Sequence, residues 1–332
     1  MNIYAVDWYP HFGRNSAIIR ALEIAMSEKV KFVDRVEIAD VILIGPYGDQ
    51  HKYSHIVHAK QAWKLFCTAE NVLPDYRYYD HSLTFSRFNF NNRNYRWPCW
   101  HHSLALDQQC QTTYTYDETL HLLHVNRPLV DVSEKEHWSK IVAIFSNMES
   151  IRCHLYTMFD QQGLIDGIGG PFGNAFAWGD EFTYRSKLAA LKPYGFNMCL
   201  ENTISDGYYT EKVLHARSSG CIAIVYSESH INNDFHGDGI VNLYDYDTVD
   251  NLVADIMSLA SDRDDFIRRA SSPIFSTKPE LYGAVNFIRE SYGNFIAGTL
   301  DTKPIQFSNS TLEIRPPSKV MRLLKQLRTL IS

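Results

Sequence analysis

The stretch Phe196–Tyr226, FNMCLENTISDGYYTEKVLHARSSGCIAIVY, places one polar loop and one helix between two apolar runs. FNMCLEN (196–202) is short and apolar and ends on Glu201–Asn202, the pattern of a buried strand entering a loop. Asp206–Gly207 turns the chain, Thr210 stands where an N-cap is expected, and the helix runs to Ser219 ahead of a second strand, CIAIVY (221–226). A strand, a crossover helix and a second strand make the repeating unit of a parallel sheet covered by helices.

The same alternation extends in both directions. Upstream, KIVAIF (140–145) reads as a strand, Ser146–Asn147 as a helix cap, and Ile151–Phe159 as a helix with one apolar face. A Gly-rich turn is expected at Gly167–Gly173, then a helix ending near Leu191. In the first half, NIYAV (2–6) and DVILIG (40–45) read as strands, WKLFCTAEN (63–71) as a strand running into a loop, and Ser16–Lys29 as a helix. The segment 101–130 has weak periodicity, and the junction is expected at Asn126–Lys135, where a proline and several polar residues cluster. The expected fold is α/β, with two Rossmann-like domains facing across a cleft. Residues 1–130 would form the first and 136–310 the second, and 318–332 a basic amphipathic helix that either lies on an anionic membrane surface or packs on the body.

Composition bounds the function. A chain of 332 residues with 45% hydrophobic and 21% charged residues is globular and long enough for two domains. A net charge of −6 gives no overall basic footprint for nucleic acid, so phosphate recognition must be local. Neither a signal peptide nor a membrane-spanning apolar stretch is evident, and a cytoplasmic protein is expected. The six cysteines include no CxxC pair, and several sit in apolar runs, as free buried thiols do.

Local phosphate recognition is what the opening stretch offers. The helix entered at Thr210–Glu211–Lys212 presents unpaired N–H groups and the positive end of its dipole. Thr210 and Glu211 also suit any helix start. Lys212 is the sharper signal, because its charge opposes the dipole and requires a compensating anion.

These residues resemble a known family. F-N-x-C-x-E-N followed by Y-x-T-E-K is similar to the signature of the α-1,3/1,4-fucosyltransferases, glycosyltransferase family 10, of bacterial type; here it comprises Phe196, Asn197, Cys199, Glu201, Asn202, Tyr208, Thr210, Glu211 and Lys212. AENVLPDYRYYDHSLTFSR (69–87), NYRWPCW (94–100) and SNMESIRCHLY (146–156) resemble further segments of that family, in the family's order. The family's I-P-I-Y-W-G run reads Ile222–Ser227 here, with Ala223 and Ser227 departing from it, and Ala69 replaces the Gly of G-E-N.

The resemblance implies a GT-B fold and inverting transfer of L-fucose from GDP-fucose to a glycan hydroxyl, the 3-hydroxyl of GlcNAc or Glc. Such transfer needs a base for the acceptor hydroxyl, for which Glu70 is the candidate, with Asp75 in reserve; Glu70 is alternatively a loop carboxylate that caps the turn at Asn71–Pro74. Glu211 is the group expected to stabilise positive charge at the anomeric carbon. Arg152 and Lys212 would meet the diphosphate, Asn202 and Tyr208 the guanosine, while Thr210 and Glu201 complete the donor set. Arg152 alternatively pairs with Glu149, and Glu201 is either a nucleotide contact or a structural strand end. An oligosaccharide or lipopolysaccharide-type acceptor is expected. No metal is expected: the acidic residues Asp238, Asp245 and Asp262–Asp265 lie in polar loops, and the histidines at His51–His58 and His101–His102 lack HExxH spacing. Two alternatives stand beside this reading: the same fold using another nucleotide sugar, and a non-catalytic sugar-nucleotide or glycan-binding module.

Overall fold

The computed structural model describes residues 1–9, 16–48, 54–145, 150–169 and 183–300. They form two compact units, each an α/β sandwich around its own parallel sheet.

The first unit carries β1 (Asn2–Val6), α1 (Ala17–Met26), β2 (Lys31–Val33), β3 (Val41–Ile44), α2 (Ser54–Val57), β4 (Trp63–Cys67), β5 (His81–Thr84) and β6 (Asn94–Arg96), and the chain leaves it along α3 (Tyr116–His124). Its sheet order is β2-β1-β3-β4-β5-β6, and every pairing is parallel. The central strand β3 reads as an unbroken apolar run because both faces of the sheet are covered. Val41, Ile42, Leu43 and Ile44 are all fully buried.

The second unit carries β7 (His137–Ile144), α4 (Ser150–Gln161), β8 (Ile165–Gly169), α5 (Tyr184–Leu191), β9 (Tyr194–Met198), α6 (Glu211–Ser218), β10 (Ile222–Val225), α7 (Ile231–Asp234), β11 (Ile240–Asn242), α8 (Val249–Leu259) and α9 (Arg263–Ala270). Its order is β11-β10-β9-β7-β8, again all parallel. Phe196, Phe266 and Phe159 fill its core with no exposed surface, each contributing about 1.5–3 kcal/mol of burial. In both sheets the second strand pairs outside the first, so the order reverses between the first and third strands. In doubly wound folds, loops beyond the carboxyl ends at such a switch point build ligand sites.

Several expectations need correction. The strands are shorter than 40–45, 196–202 and 221–226, and β7 begins earlier than 140; the stretch 63–71 is a strand to Cys67 that then enters a loop, as expected. The Gly-rich turn instead opens as β8, whose Gly167 and Gly169 pair with β7; its remainder, like Ser146–Asn147 and Glu149, lies outside the described residues. The chain also divides elsewhere than at 126–135, with the break falling between Thr119 and Leu120. The helix α10 (Leu281–Ile296) returns to the first unit, because Leu281, Ala284, Val285 and Ile288 bury their side chains there and Arg289 donates to the Ala25 carbonyl of α1 at 3.2 Å. The helix expected at 318–332 lies outside the described residues. None of the described helices is long and apolar enough to cross a membrane.

Candidate active site

In the second unit the site begins where β9 ends. Cys199 N–H continues the ladder onto the Ile224 carbonyl at 2.8 Å, and the next carbonyl, Leu200, accepts from Arg152 Nη2 at 2.6 Å. Arg152 is buried, with its guanidinium 5.3 Å from the centre of the Phe145 ring. The strand end of β7 and the start of α4 are thereby tied to the strand end of β9.

Glu201 then turns inward. Its Oε1 accepts from Thr210 N–H at 2.9 Å and Thr210 Oγ1 at 2.7 Å, and its Oε2 accepts from Lys212 Nζ at 2.6 Å. Lys212 Nζ also donates to Thr210 Oγ1 at 2.8 Å. Thr210 occupies the N-cap but makes no side-chain cap bond, so a carboxylate nine residues upstream takes over the helix start. At the start of the helix Lys212 requires a compensating anion. The structure supplies an anion internally as Glu201, which at the end of the strand holds both Thr210 and Lys212.

Glu211 lies one position along, with Oε1 at 3.4 Å from Lys187 Nζ of α5. Burial favours its protonated form, but the charges of Lys212 and Lys187 outweigh that and hold its carboxyl far below the usual range. His215, fully buried, is pushed down to about 3 by burial and by Lys187, so it stays neutral. The result is an ionised carboxylate flanked by two lysines, a fixed charge pattern suited to a developing cation beside a departing diphosphate. Lys187 was missed from sequence, and nothing in YRSKLAAL (184–191) signals its role, because its partner is 24 residues away.

Asn202 is exposed beyond this network, whereas Tyr208 is buried with 6% exposure, leaving little of its ring open for the stacking expected of it. The turn before it uses Gly207 at φ +78°, and Gly207 N–H donates to Glu228 Oε1 at 3.1 Å. The departure at Ser227 has a local counterpart, since Asn242 clamps that backbone from both sides, accepting from Ser227 N–H at 3.2 Å and donating to its carbonyl at 3.0 Å.

Among the acidic residues of the polar loops, Asp238 lies 3.8 Å from Arg268 Nη1. Asp262 caps α9 through Asp264 and Asp265 N–H, and Asp265 pairs with Arg268. A group that sequence reading did not single out is Asp206, Glu228 and His230, whose ligand atoms lie within 4.8 Å of one another. His230 Nδ1 is 3.1 Å from Asp206 and 3.4 Å from Glu228.

In the first unit, Glu70 follows β4 and is half-buried. Thr68 Oγ1 accepts from Glu70 N–H at 2.9 Å and donates to its carbonyl at 3.0 Å, fixing the turn. Tyr47, after β3, donates to Glu70 Oε1 at 3.2 Å, and Tyr9, after β1, accepts Ala69 N–H at 2.6 Å. Asp75, the reserve base, is instead held by Arg77, whose Nε lies 2.9 Å from both carboxylate oxygens.

Known proteins agree with this architecture. The C-terminal family model of glycosyltransferase family 10 (fucosyltransferase) matches residues 132–269, and the model of the alpha-(1,3)-fucosyltransferase FucT N-terminal domain matches residues 5–102. Alpha-(1,3)-fucosyltransferase FucT of Helicobacter pylori is 25% identical over 311 residues; the match covers 88% of this chain and 63% of the length of that relative. A crystal structure of α1,3-fucosyltransferase superposes with a TM-score of 0.64 at 20% identity, covering 93% of this chain and 92% of the other. A second, with GDP-fucose, gives 0.62 at 18% identity over 88% and 90%. The fold is therefore GT-B, and with both family models matched in order, the chain belongs to glycosyltransferase family 10.

Proposed function

We propose that this chain is an inverting fucosyltransferase that moves L-fucose from GDP-fucose to a glycan hydroxyl, the 3-hydroxyl of GlcNAc or Glc, in α-1,3 linkage. The observation that carries the reading is the network at the carboxyl end of β9, where Glu201 orders Thr210 and Lys212 and an ionised Glu211 sits against Lys187.

In the proposed step the acceptor oxygen attacks the anomeric carbon of fucose. Its proton passes to the Glu70 carboxylate, which acts as general base. The bond from that carbon to the β-phosphate oxygen breaks, and its electron pair leaves with GDP. Arg152 and Lys212 meet the charge that accumulates on the diphosphate; the planar guanidinium suits two oxygens at once. Glu211 stabilises the positive charge that builds on the ring. Asn202 and Tyr208 serve the guanosine end, for which Tyr208 must become more exposed than its present 6%. The similar structure solved with GDP-fucose supports the choice of donor. An oligosaccharide or lipopolysaccharide-type acceptor and a cytoplasmic location remain part of the proposal.

A thermal-shift panel of nucleotides tests the donor assignment. Stabilisation by GDP and GDP-fucose is expected. Stabilisation by UDP with none by GDP would transfer the site to another nucleotide sugar.

A further inference from the structure

Three aromatic rings collect at the switch point of the first sheet. Trp8 and Tyr9 follow β1 and Tyr47 follows β3; the ring of Tyr9 meets those of Trp8 and Tyr47 edge-on at 5.6 Å and 5.0 Å. Their approach depends on Gly45. A Cβ there would lie 2.2 Å from the Asp7 carbonyl oxygen, and Asp7 itself adopts φ +50° as the chain leaves β1. The two tyrosines divide the hold on Glu70: Tyr9 takes the N–H of the preceding residue, and Tyr47 takes a carboxylate oxygen. Tyr9 is partly buried, but Tyr47 keeps 58% of its surface exposed while its hydroxyl is engaged.

We propose that Tyr47 is the acceptor-side positioning residue: its hydroxyl fixes the Glu70 carboxylate through Oε1, and its exposed ring is the platform on which the acceptor pyranose lies. This deepens the reading of Glu70 as base and rests on it. The chemistry is complementary. The C–H face of a pyranose covers an aromatic ring, and a hydroxyl at the edge of that sugar then reaches a carboxylate already hydrogen-bonded to the same tyrosine. Among the described residues no hydrogen-bond donor is seen at Glu70 Oε2, which leaves that oxygen to take the proton. Burial and the Glu70 charge push the Tyr47 hydroxyl up to about 12, so it remains a donor wherever Glu70 is ionised.

The test separates the two contributions in the full chain, with GDP-fucose as donor and a GlcNAc-containing oligosaccharide as acceptor. Tyr47→Phe keeps the ring and removes the donor; kcat should fall on the order of tenfold, with the acceptor KM changed less than twofold. Tyr47→Ala removes both, and its acceptor KM should rise roughly fivefold or more above that of Tyr47→Phe. Stabilisation by GDP should match wild type in both, which excludes general unfolding. Unchanged kcat in Tyr47→Phe overturns the positioning role, and equal acceptor KM in the two variants overturns the platform. Glu70→Gln, run alongside, distinguishes the levels: if it is inactive while Tyr47→Phe matches wild type, only the present proposal fails. If Glu70→Gln retains activity, the base assignment fails and takes the role of Tyr47 with it.

Discussion

Lys212 Nζ lies 2.6 Å from Glu201 Oε2, joining residues eleven apart across the whole loop between β9 and α6. Glu201 also holds Thr210, so one carboxylate sets both the first turn of the helix and the position of its cation. Lys212 is thereby held in place before any ligand arrives.

Lys212→Ala should reduce kcat/KM for GDP-fucose by about 100-fold or more, the scale seen when one charge-stabilising donor is removed. Its unfolding midpoint should change little, since Glu201 still holds Thr210 and the lysine side chain is 22% exposed. Steady-state kinetics beside a melting curve check both halves.

Glu201→Ala should do the reverse in stability. It leaves the Thr210 N–H and the Lys212 ammonium without their shared acceptor, a loss of about 2–4 kcal/mol. Urea unfolding measures it, and an unchanged midpoint would show that the network is dispensable.

These two residues mark how far the sequence could be read. The motif from Phe196 to Lys212 was legible because strand, loop and helix start are contiguous and their apolar pattern is strong. The contacts that organise it were not. The Lys187–Glu211 and Tyr47–Glu70 pairs span 24 and 23 residues between different elements, and no local pattern encodes such a meeting. Short strands escaped for a related reason: β2, β6 and β11 have three residues each, too few to show a period. The domain boundary was misplaced because α10 belongs to a sheet whose last strand ends nearly two hundred residues earlier; only its packing on α1 reveals that.

Acid should destabilise the protein in a defined order. His81, buried and accepting from Trp63 Nε1–H at 3.0 Å, is lowered to about 4 by burial, so the unfolded chain binds its proton first. Stability is complete above its ordinary value of 6.5 and declines as pH falls towards 4. His81→Asn keeps an acceptor for Trp63 and does not titrate. Its midpoint should fall less than that of wild type between pH 7 and pH 5, as read by thermal melts across that range.

A second acid step belongs to Glu211. Its carboxyl is depressed in the folded state, so its contribution is present above the ordinary value of 4.5 and lost as pH falls below it. Glu211→Gln should flatten the melting profile below that point while leaving the histidine step intact.

Gly45→Ala should cost about 1–3 kcal/mol, because the new methyl meets the Asp7 carbonyl at 2.2 Å. Acceptor KM should worsen with it, since the backbone shift parts Tyr9 from Tyr47. A melt and an acceptor titration test the pair of effects.

The most direct test of the central claim is to incubate the protein with GDP-fucose and a panel of GlcNAc- and lactose-based acceptors and read the products by mass and linkage. The account predicts release of GDP together with an acceptor heavier by one fucose, α-linked to a 3-hydroxyl and formed far more slowly with Lys212→Ala. A product formed only from another nucleotide sugar, or GDP-fucose left intact with every acceptor, would contradict it.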